Sequence, residues 1–272
     1  MNKYIASYVQ SEYGIDINNC SNEDLLKVTN IDCEDVTSAN LFGKRERCDW
    51  DFSLFPNLRR INCRYNHIDS FNVTQNLLLE EINRQGVRGR LKHPIDISNN
   101  HHLKKVYAGQ DELAELDLSE NKELEELYMI ISSSMRWINL DHCENLKVIR
   151  LAGVNIPFVD LTNCPKIELC DIHYMNLYIN QRGEFGPGYP RPIIFVREDF
   201  DENVIPYATR REPNFRYLLI RVSPNSVEQS FLESLKSRKE EFTSIWADNR
   251  GTGVALKHYK LLEELDSLRN NK

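Results

Sequence analysis

Histidines, cysteines and carboxylates are the side chains here that could ligate a metal, attack a carbonyl or move a proton, so their spacing comes first. His101 and His102 are adjacent and follow the Asn99, Asn100 turn, with no carboxylate at a diagnostic spacing. His142 and His173 stand elsewhere, and no His-Glu-x-x-His run occurs, so zinc ligation has no support in the pattern. The seven cysteines are odd in number and include no CxxC pair, which suits small reduced thiols rather than a disulfide framework or a zinc ribbon. Cys170 precedes Asp171 and His173, superficially a nucleophile beside its base. In an extended segment, however, neighbours alternate between faces, which puts Cys170 and Asp171 on opposite sides and argues against a dyad.

Two further groups invite an ionic reading. Asp96, Asp117 and Asp160, with Asn72 and Asn139, recur at a fixed place in the chain's periodicity. Calcium needs oxygens that converge at a loop, whereas a periodic lane reads as solvated turns. Gly86, Arg88, Gly89 and Arg90, with Arg84, Lys92 and His93 nearby, make a basic cluster that suits an acidic partner or a phosphate. It has no interleaved aromatics, and the 272-residue chain is acidic, with Lys+Arg 34 against Asp+Glu 41 and a net charge of −7, so a solvated loop is the reading adopted. Neither Gly186-Pro-Gly188 nor Gly251-Thr-Gly253 has phosphate-loop spacing, and no Gly-x-Ser-x-Gly occurs. The sequence therefore predicts no cofactor, no metal and no catalytic constellation. Nucleic acid is not the expected partner.

What positions these residues is a repeat. Leu58, Ile61, Cys63, Asn66 and Ile68 set a frame that returns from Leu79, Leu103, Leu124, Leu146 and Ile167, at steps of 21, 24, 21, 22 and 21 residues. Each unit carries a second apolar pair followed by a polar turn: Phe71 and Val73 before Asn76, Ile95 and Ile97 before Asn100, Leu116 and Leu118 before Asn121. Ile138 and Leu140 before Cys143, and Val159 and Leu161 before Cys164, complete the series. Apolar residues two apart face one side of an extended segment, so each unit presents two inward pairs. The turn Asn or Cys points inward, where it can satisfy backbone groups of a neighbouring coil. Cys143 and Cys164, at equivalent places, read as stacked reduced thiols.

At these residues the sequence resembles the leucine-rich repeat family, particularly short bacterial repeats with an Asp-Leu-Ser-x-Asn second half. The resemblance covers roughly Leu58–Asn180, with fragments at Trp50–Leu58 and Ile15–Cys20. It implies a right-handed solenoid with a parallel β-sheet on one wall; with the apolar patterns at the two ends, the expected fold is α/β, with a helical N-terminal cap and an α/β C-terminal extension. It implies a recognition surface rather than one activity. The expected organisation is a cap with irregular first coils over 1–49, the solenoid over 50–180, a Pro/Gly-rich linker over 181–192 and the extension over 193–272. A helix is expected over 2–13 with Gly14 as its stop, a short helix from Ser21, strands at 193–196 and 217–222, a helix from Ser226 through Trp246, and another over 254–269.

The frame also says which side chains leave the core. On the sheet wall these form a middle lane of Asn62, Asn83, Tyr107, Tyr128, Arg150 and Asp171, flanked by Arg60, Arg64, Glu81, Gln85, Lys105, Glu126, Ile130 and His173. Two adjacent tyrosines among both charge signs are the chemistry of protein-interface hot spots. The expected function is protein recognition through this wall, as an adaptor or a bacterial immunity or effector protein. A second reading places an enzyme activity in 193–272, with Arg210, Arg211, Glu212 and Asp248 to inspect. A third is self-assembly through a solenoid end. No run of about 18 apolar residues is available to span a membrane, and the first residues lack an apolar signal core. The expected location is the cytoplasm.

Overall fold

The structure is a computed structural model that describes residues 2–37, 48–87, 95–109, 115–130, 135–154, 156–174, 193–206, 218–243 and 252–270, with the side chains of 173, 174 and 252–259 left aside. The repeat frame becomes a stack of coils. One wall is a seven-stranded parallel sheet of β1 (Asn30–Asp32), β3 (Arg60–Asn62), β5 (Glu81–Asn83), β6 (Lys105–Gly109), β8 (Glu126–Ile130), β10 (Val148–Val154) and β12 (Leu169–Tyr174), in that order. Ile31, Ile61, Ile82, Val106, Leu127, Ile149 and Cys170 lie in register and all are buried. One apolar residue per strand, stacked at the inter-strand spacing, is what holds strands as short as three residues in a parallel sheet. The chain is thus a leucine-rich-repeat-like α/β solenoid.

The frame corrects one expectation. Arg84 does not belong to an exposed basic cluster. It stands two residues after the inward Ile82, on the same face, and is fully buried with its guanidinium 5.0 Å from the centre of the Phe71 ring. Gly86 turns at φ 70° beside Tyr65, and the members of that cluster within 88–93 lie outside the described residues.

Turns are tied from coil to coil by a ladder. Asn76 Nδ2 donates to the carbonyls of Phe52 and Phe55 at 2.9 and 2.8 Å, Asn100 to those of Val73 and Asn76 at 3.0 and 2.8 Å, and Asn121 to those of Ile97 and Asn100 at 3.2 and 2.9 Å. The Cys143 thiol takes over at the next coil, donating to the Leu118 carbonyl at 3.5 Å. All four are fully buried.

The second wall is built from β2 (Cys48–Asp51) paired with β4 (Ile68–Asn72), β7 (Glu115–Asp117) paired with β9 (Trp137–Asn139), and a sheet of β11 (Phe158–Asp160), β13 (Ile193–Arg197) and β14 (Leu218–Val222), all parallel. The strands at 193–197 and 218–222 therefore continue the wall that β11 begins. The outward position changes character along this wall. It is Glu115 on β7, then Trp137 on β9 and Phe158 on β11. There the helices α3 (Val227–Ser237), α4 (Lys239–Thr243) and α5 (Thr252–Asn270) bring up a second core, where Trp137 and Phe158 meet Phe195, Phe231 and Phe242. Lys236 pins this layer down, bridging Asp141 at 2.6 Å and Asp160 at 2.7 Å, and Lys239 reaches Glu115 at 2.8 Å. The helix begun at Ser226 ends at Ser237 and restarts at Lys239.

The N-terminal end of the stack is covered by helices. Helix α1 (Lys3–Tyr13), capped by Asn2 and stopped by Gly14 at φ 68°, lies against β1. The Tyr13 hydroxyl accepts from Asn30 N–H and donates to Asn30 C=O, both at 3.0 Å, and so occupies the open edge of that strand. Helix α2 (Asn22–Leu25) starts with a reciprocal capping box between Ser21 and Asp24. At the other end Arg221 of β14 donates to the carbonyls of Glu198 and Phe200 and to the Glu202 carboxylate, at 2.5, 3.2 and 2.9 Å. The Arg221 guanidinium thus ties the β14 coil to the turn that follows β13.

Candidate functional site

Register fixes the outward lanes of the first wall. Asn62 pairs with Asn83, Asn83 with Tyr107, Tyr107 with Tyr128, Tyr128 with Arg150, and Arg150 with Asp171. The middle lane is one continuous file. Beside it run Arg60, Glu81, Lys105 and Glu126, again pairwise opposite, followed by Val148 and Leu169. On the other flank Ile130 lies opposite Gly109 and Ala152. A Cβ at Gly109 would come within 2.2 Å of the Ile130 carbonyl oxygen, so β6 and β8 close up only around glycine. His173 pairs by its backbone with Ala152, and its side chain lies outside the described residues.

The centre of the wall is a connected strip. Lys105 Nζ pairs with Glu126 at 2.8 Å, and the Tyr107 hydroxyl donates to the other Glu126 oxygen at 2.6 Å. The Tyr107 and Tyr128 ring centroids are 4.9 Å apart with planes inclined by 30°. The Arg150 guanidinium stands 5.6 Å from the Tyr128 ring centre, and its Nε lies 3.0 Å from an Asp171 oxygen. Each contact immobilises the next, so both tyrosines are held half-buried before any partner arrives.

Electrostatics follow from the same contacts. Burial, then the hydrogen bond to Glu126, pushes the Tyr107 phenol well above its ordinary value, so it stays a neutral donor. Burial opposes ionisation of Glu126, but hydrogen bonds from Lys105 and Tyr107 outweigh it and hold the carboxyl below the usual range. At the N-terminal end Asn62 donates to Asp32 and Glu34 at 3.0 and 3.2 Å, and Arg64 stands 3.6 Å from Glu34 while donating to the Tyr65 hydroxyl at 2.8 Å. Those polar groups already serve one another.

One lane falls outside those drawn from the sequence. Just before each strand, Arg59, Glu80, Lys104, Glu125, Lys147 and Glu168 follow one another, each N–H after the first donating to the carbonyl of the member before it. Their signs alternate without a break. Arg59 pairs with Glu80, Lys104 approaches Glu80 at 3.8 Å, and Lys147 meets Glu125 at 2.7 Å. The signal is plain in the sequence, in the residue after each anchor.

The remaining candidates find structural roles. His102 pairs with Glu123 at 3.0 Å and the His101 ring meets the Glu120 carbonyl at 3.2 Å, both exposed, while His142 is exposed in a left-handed turn at φ 67°. Among the described residues no three His, Cys, Asp or Glu side chains converge to hold a metal. Asp96, Asp117, Asp160, Asn72 and Asn139 each accept the backbone N–H two residues on, at 2.9 to 3.2 Å, which makes them turn formers. Asp160 goes beyond the solvated role expected of it, since its side chain is only 10% exposed and faces Lys236. Burial pushes the thiols of Cys143 and Cys170 up to about 12 and Cys164 higher still, so none supplies a thiolate near neutrality. A small cavity of about 130 Å³ lies between Cys164–Ile167 and Arg197–Asp201, where Arg197 and Asp199 are paired with each other. Arg210, Arg211, Glu212 and Asp248 lie outside the described residues. Among those described, no helix is long and apolar enough to cross a membrane.

No family model matches this chain, and no curated protein matches it. Among solved structures it is similar to the functional domain of InlJ from Listeria monocytogenes, described as including a cysteine ladder, at 17% identity and a TM-score of 0.28. That likeness covers 73% of this chain and 51% of the other, so the chain spans about half the length of the structure it matches. The assignment of the fold rests on the strand order and register of the chain itself, a repeat protein built as a parallel β-solenoid.

Proposed function

We propose that this protein is a recognition module of leucine-rich-repeat type, without catalytic activity of its own, that binds a protein partner through the outward face of its first wall. One observation carries the reading: Tyr107 and Tyr128 stack at 4.9 Å in the middle of that face, fixed on one side by Glu126 and Lys105 and on the other by Arg150 and Asp171. Rigid aromatic area with a guanidinium beside it is what interface hot spots are made of, and a preformed surface limits the ordering cost of binding. The biological version we favour is a cytoplasmic adaptor, or a bacterial immunity or effector protein that occupies a surface of another protein.

The test is affinity capture from native lysate with wild type and with the Tyr107→Ala/Tyr128→Ala variant, thermal melting being followed for both. A protein retained by the wild type and lost by an equally stable variant supports recognition at the strip. Loss of a hot-spot tyrosine costs about 2 kcal/mol or more, so the affinity should fall by at least roughly 30-fold. Equal retention by both proteins refutes the strip as the site.

A further inference from the structure

The charge ladder of the first wall is complementary to its own reverse. Arg59, Glu80, Lys104, Glu125, Lys147 and Glu168 alternate in sign, one per coil. An alternating series with an even number of members, laid against itself in reverse order, brings every cation opposite a carboxylate. Arg59 falls opposite Glu168 of the second copy, Glu80 opposite Lys147 and Lys104 opposite Glu125. Within one chain the two ends are unequal. Glu80 serves both Arg59 and Lys104, whereas Glu168 makes no ion pair among the described residues. Reversal delivers the surplus cation to the surplus carboxylate.

The neighbouring lanes obey the same operation. A two-fold axis running along the strands, midway between β6 and β8, reverses the coil order and leaves each lane facing itself, as an isologous interface requires. Lys105 then meets Glu126, Asn83 meets Arg150, Asn62 meets Asp171 and Tyr107 meets Tyr128, by the register of the wall. Arg60 and Glu81 lie across from Leu169 and Val148, whose apolar surface their aliphatic stems can cover. Among the described residues no two like charges oppose each other.

We infer that a second copy of this chain docks face to face on the first wall in reverse coil order, forming a two-fold homodimer. The inference rests on the reading of this wall as a docking surface and names its occupant. Six strands about 4.8 Å apart and five residues at about 3.3 Å give a face of about 29 by 17 Å, or roughly 500 Å² per copy. That lies near the floor for a specific interface, so the dimer is weak and concentration-dependent.

The experiment is sedimentation equilibrium of the full chain over a concentration series, at low and high salt. The wild type should move toward the dimer mass as concentration rises, and less so at high salt. Two ladder variants decide the geometry. Lys104→Glu/Lys147→Glu makes the inner ladder uniformly negative, and Glu80→Lys/Glu125→Lys makes it uniformly positive. Each alone should be a folded monomer, while their equimolar mixture should form a heterodimer. Should either variant melt early, variants with one added cysteine serve instead, with the unmodified chain as the control for its own seven thiols. Asn83→Cys mixed with Arg150→Cys should be joined by a thiol-specific cross-linker that spans the roughly 10 Å between facing sheets, whereas Asn83→Cys alone should not, its two copies lying about a further 14 Å apart along the stack. A wild type that stays monomeric throughout overturns the inference and leaves foreign-partner recognition to its own capture experiment. So does a wild-type dimer whose two ladder variants still dimerise singly, or whose cysteine mixture fails to cross-link, because the contact then uses another face. If the dimer forms as described but capture is indifferent to the tyrosines, only the foreign-partner reading fails.

Discussion

Asn100 offers the sharpest test of how the coils are held together. Its Nδ2 donates to the Val73 and Asn76 carbonyls at 3.0 and 2.8 Å from a fully buried position. Those carbonyls also accept from Asn76 N–H and Leu79 N–H, so Asn100→Ala leaves each with one bond rather than none. Two neutral hydrogen bonds are worth about 1 kcal/mol each, and the space left by the amide adds roughly 1 kcal/mol. Against this, Asn100 Oδ1 is buried without a hydrogen-bond partner, and its removal returns about 1 kcal/mol. The net loss is therefore about 2 kcal/mol. Cys143→Ala removes one thiol bond at 3.5 Å and a smaller volume, and should cost about 1 kcal/mol. Asn100→Asp sets a buried carboxylate against two carbonyl oxygens and should cost more than about 4 kcal/mol.

Equilibrium urea unfolding in reducing buffer measures the series. With a slope of about 3 kcal/mol/M, Asn100→Ala should lower the midpoint by about 0.7 M and Cys143→Ala by about half of that. Equal losses for these two would refute the assignment of the ladder's strength to the double amide bond. So would a stable Asn100→Asp protein at neutral pH.

Two further outcomes follow from the charges. Because the folded Glu126 carboxyl is held below its unfolded value, its contribution is present above that unfolded value, near pH 4.3, and disappears as the pH falls through the folded one; the acid dependence of the urea midpoint should be shallower in Glu126→Gln. Lys236→Met leaves Asp160 facing a hydrocarbon chain and should cost about 2 kcal/mol, with earlier proteolysis of residues 227–270 and altered Trp137 fluorescence. For Lys236 burial works toward a lower value, but Asp160 and Asp141 outweigh it and raise it, so the wild-type advantage should be complete below the unfolded lysine value and fade as the pH climbs through the folded one.

Much of this was open to reading because the chain repeats. Leu58, Leu79, Leu103, Leu124, Leu146 and Ile167 set the frame, and from it the lanes of the first wall and the inward Asn and Cys of each turn follow by alternation alone. Residue type alone assigns Arg84 to the surface, whereas its position in the frame places it inward. Trp137 and Phe158 carry a signal of their own. Aromatic residues at an outward position announce that something covers that face, here Phe195, Phe231 and Phe242. The Lys236 bridge to Asp141 joins residues 95 apart, and no local pattern links them. Arg221 is hidden for a different reason: it makes with a guanidinium the turn-to-turn tie that Asn or Cys makes in the earlier coils, so it breaks the repeated residue pattern.

The arrangement of charge on the first wall also bears on how the proposed partner would be chosen. Lys105 with Glu126, Arg150 with Asp171, and the alternating edge lane neutralise one another within a few ångströms, so the wall projects little net field although the whole chain carries −7. A surface of that kind does not gather ligands from a distance by charge, as a nucleic-acid binder does. Its discrimination has to come from contact, from which groups meet which once two surfaces touch, and an alternating lane is demanding in that respect. A shift by one coil brings like charges together along its whole length, while a shift by two restores the match at the cost of the tyrosine pair. Both conditions are met in a single register, so in the proposed dimer the lane and the strip would act as one device: the charges would reject wrong alignments, and Tyr107 and Tyr128 would supply the contact area in the right one.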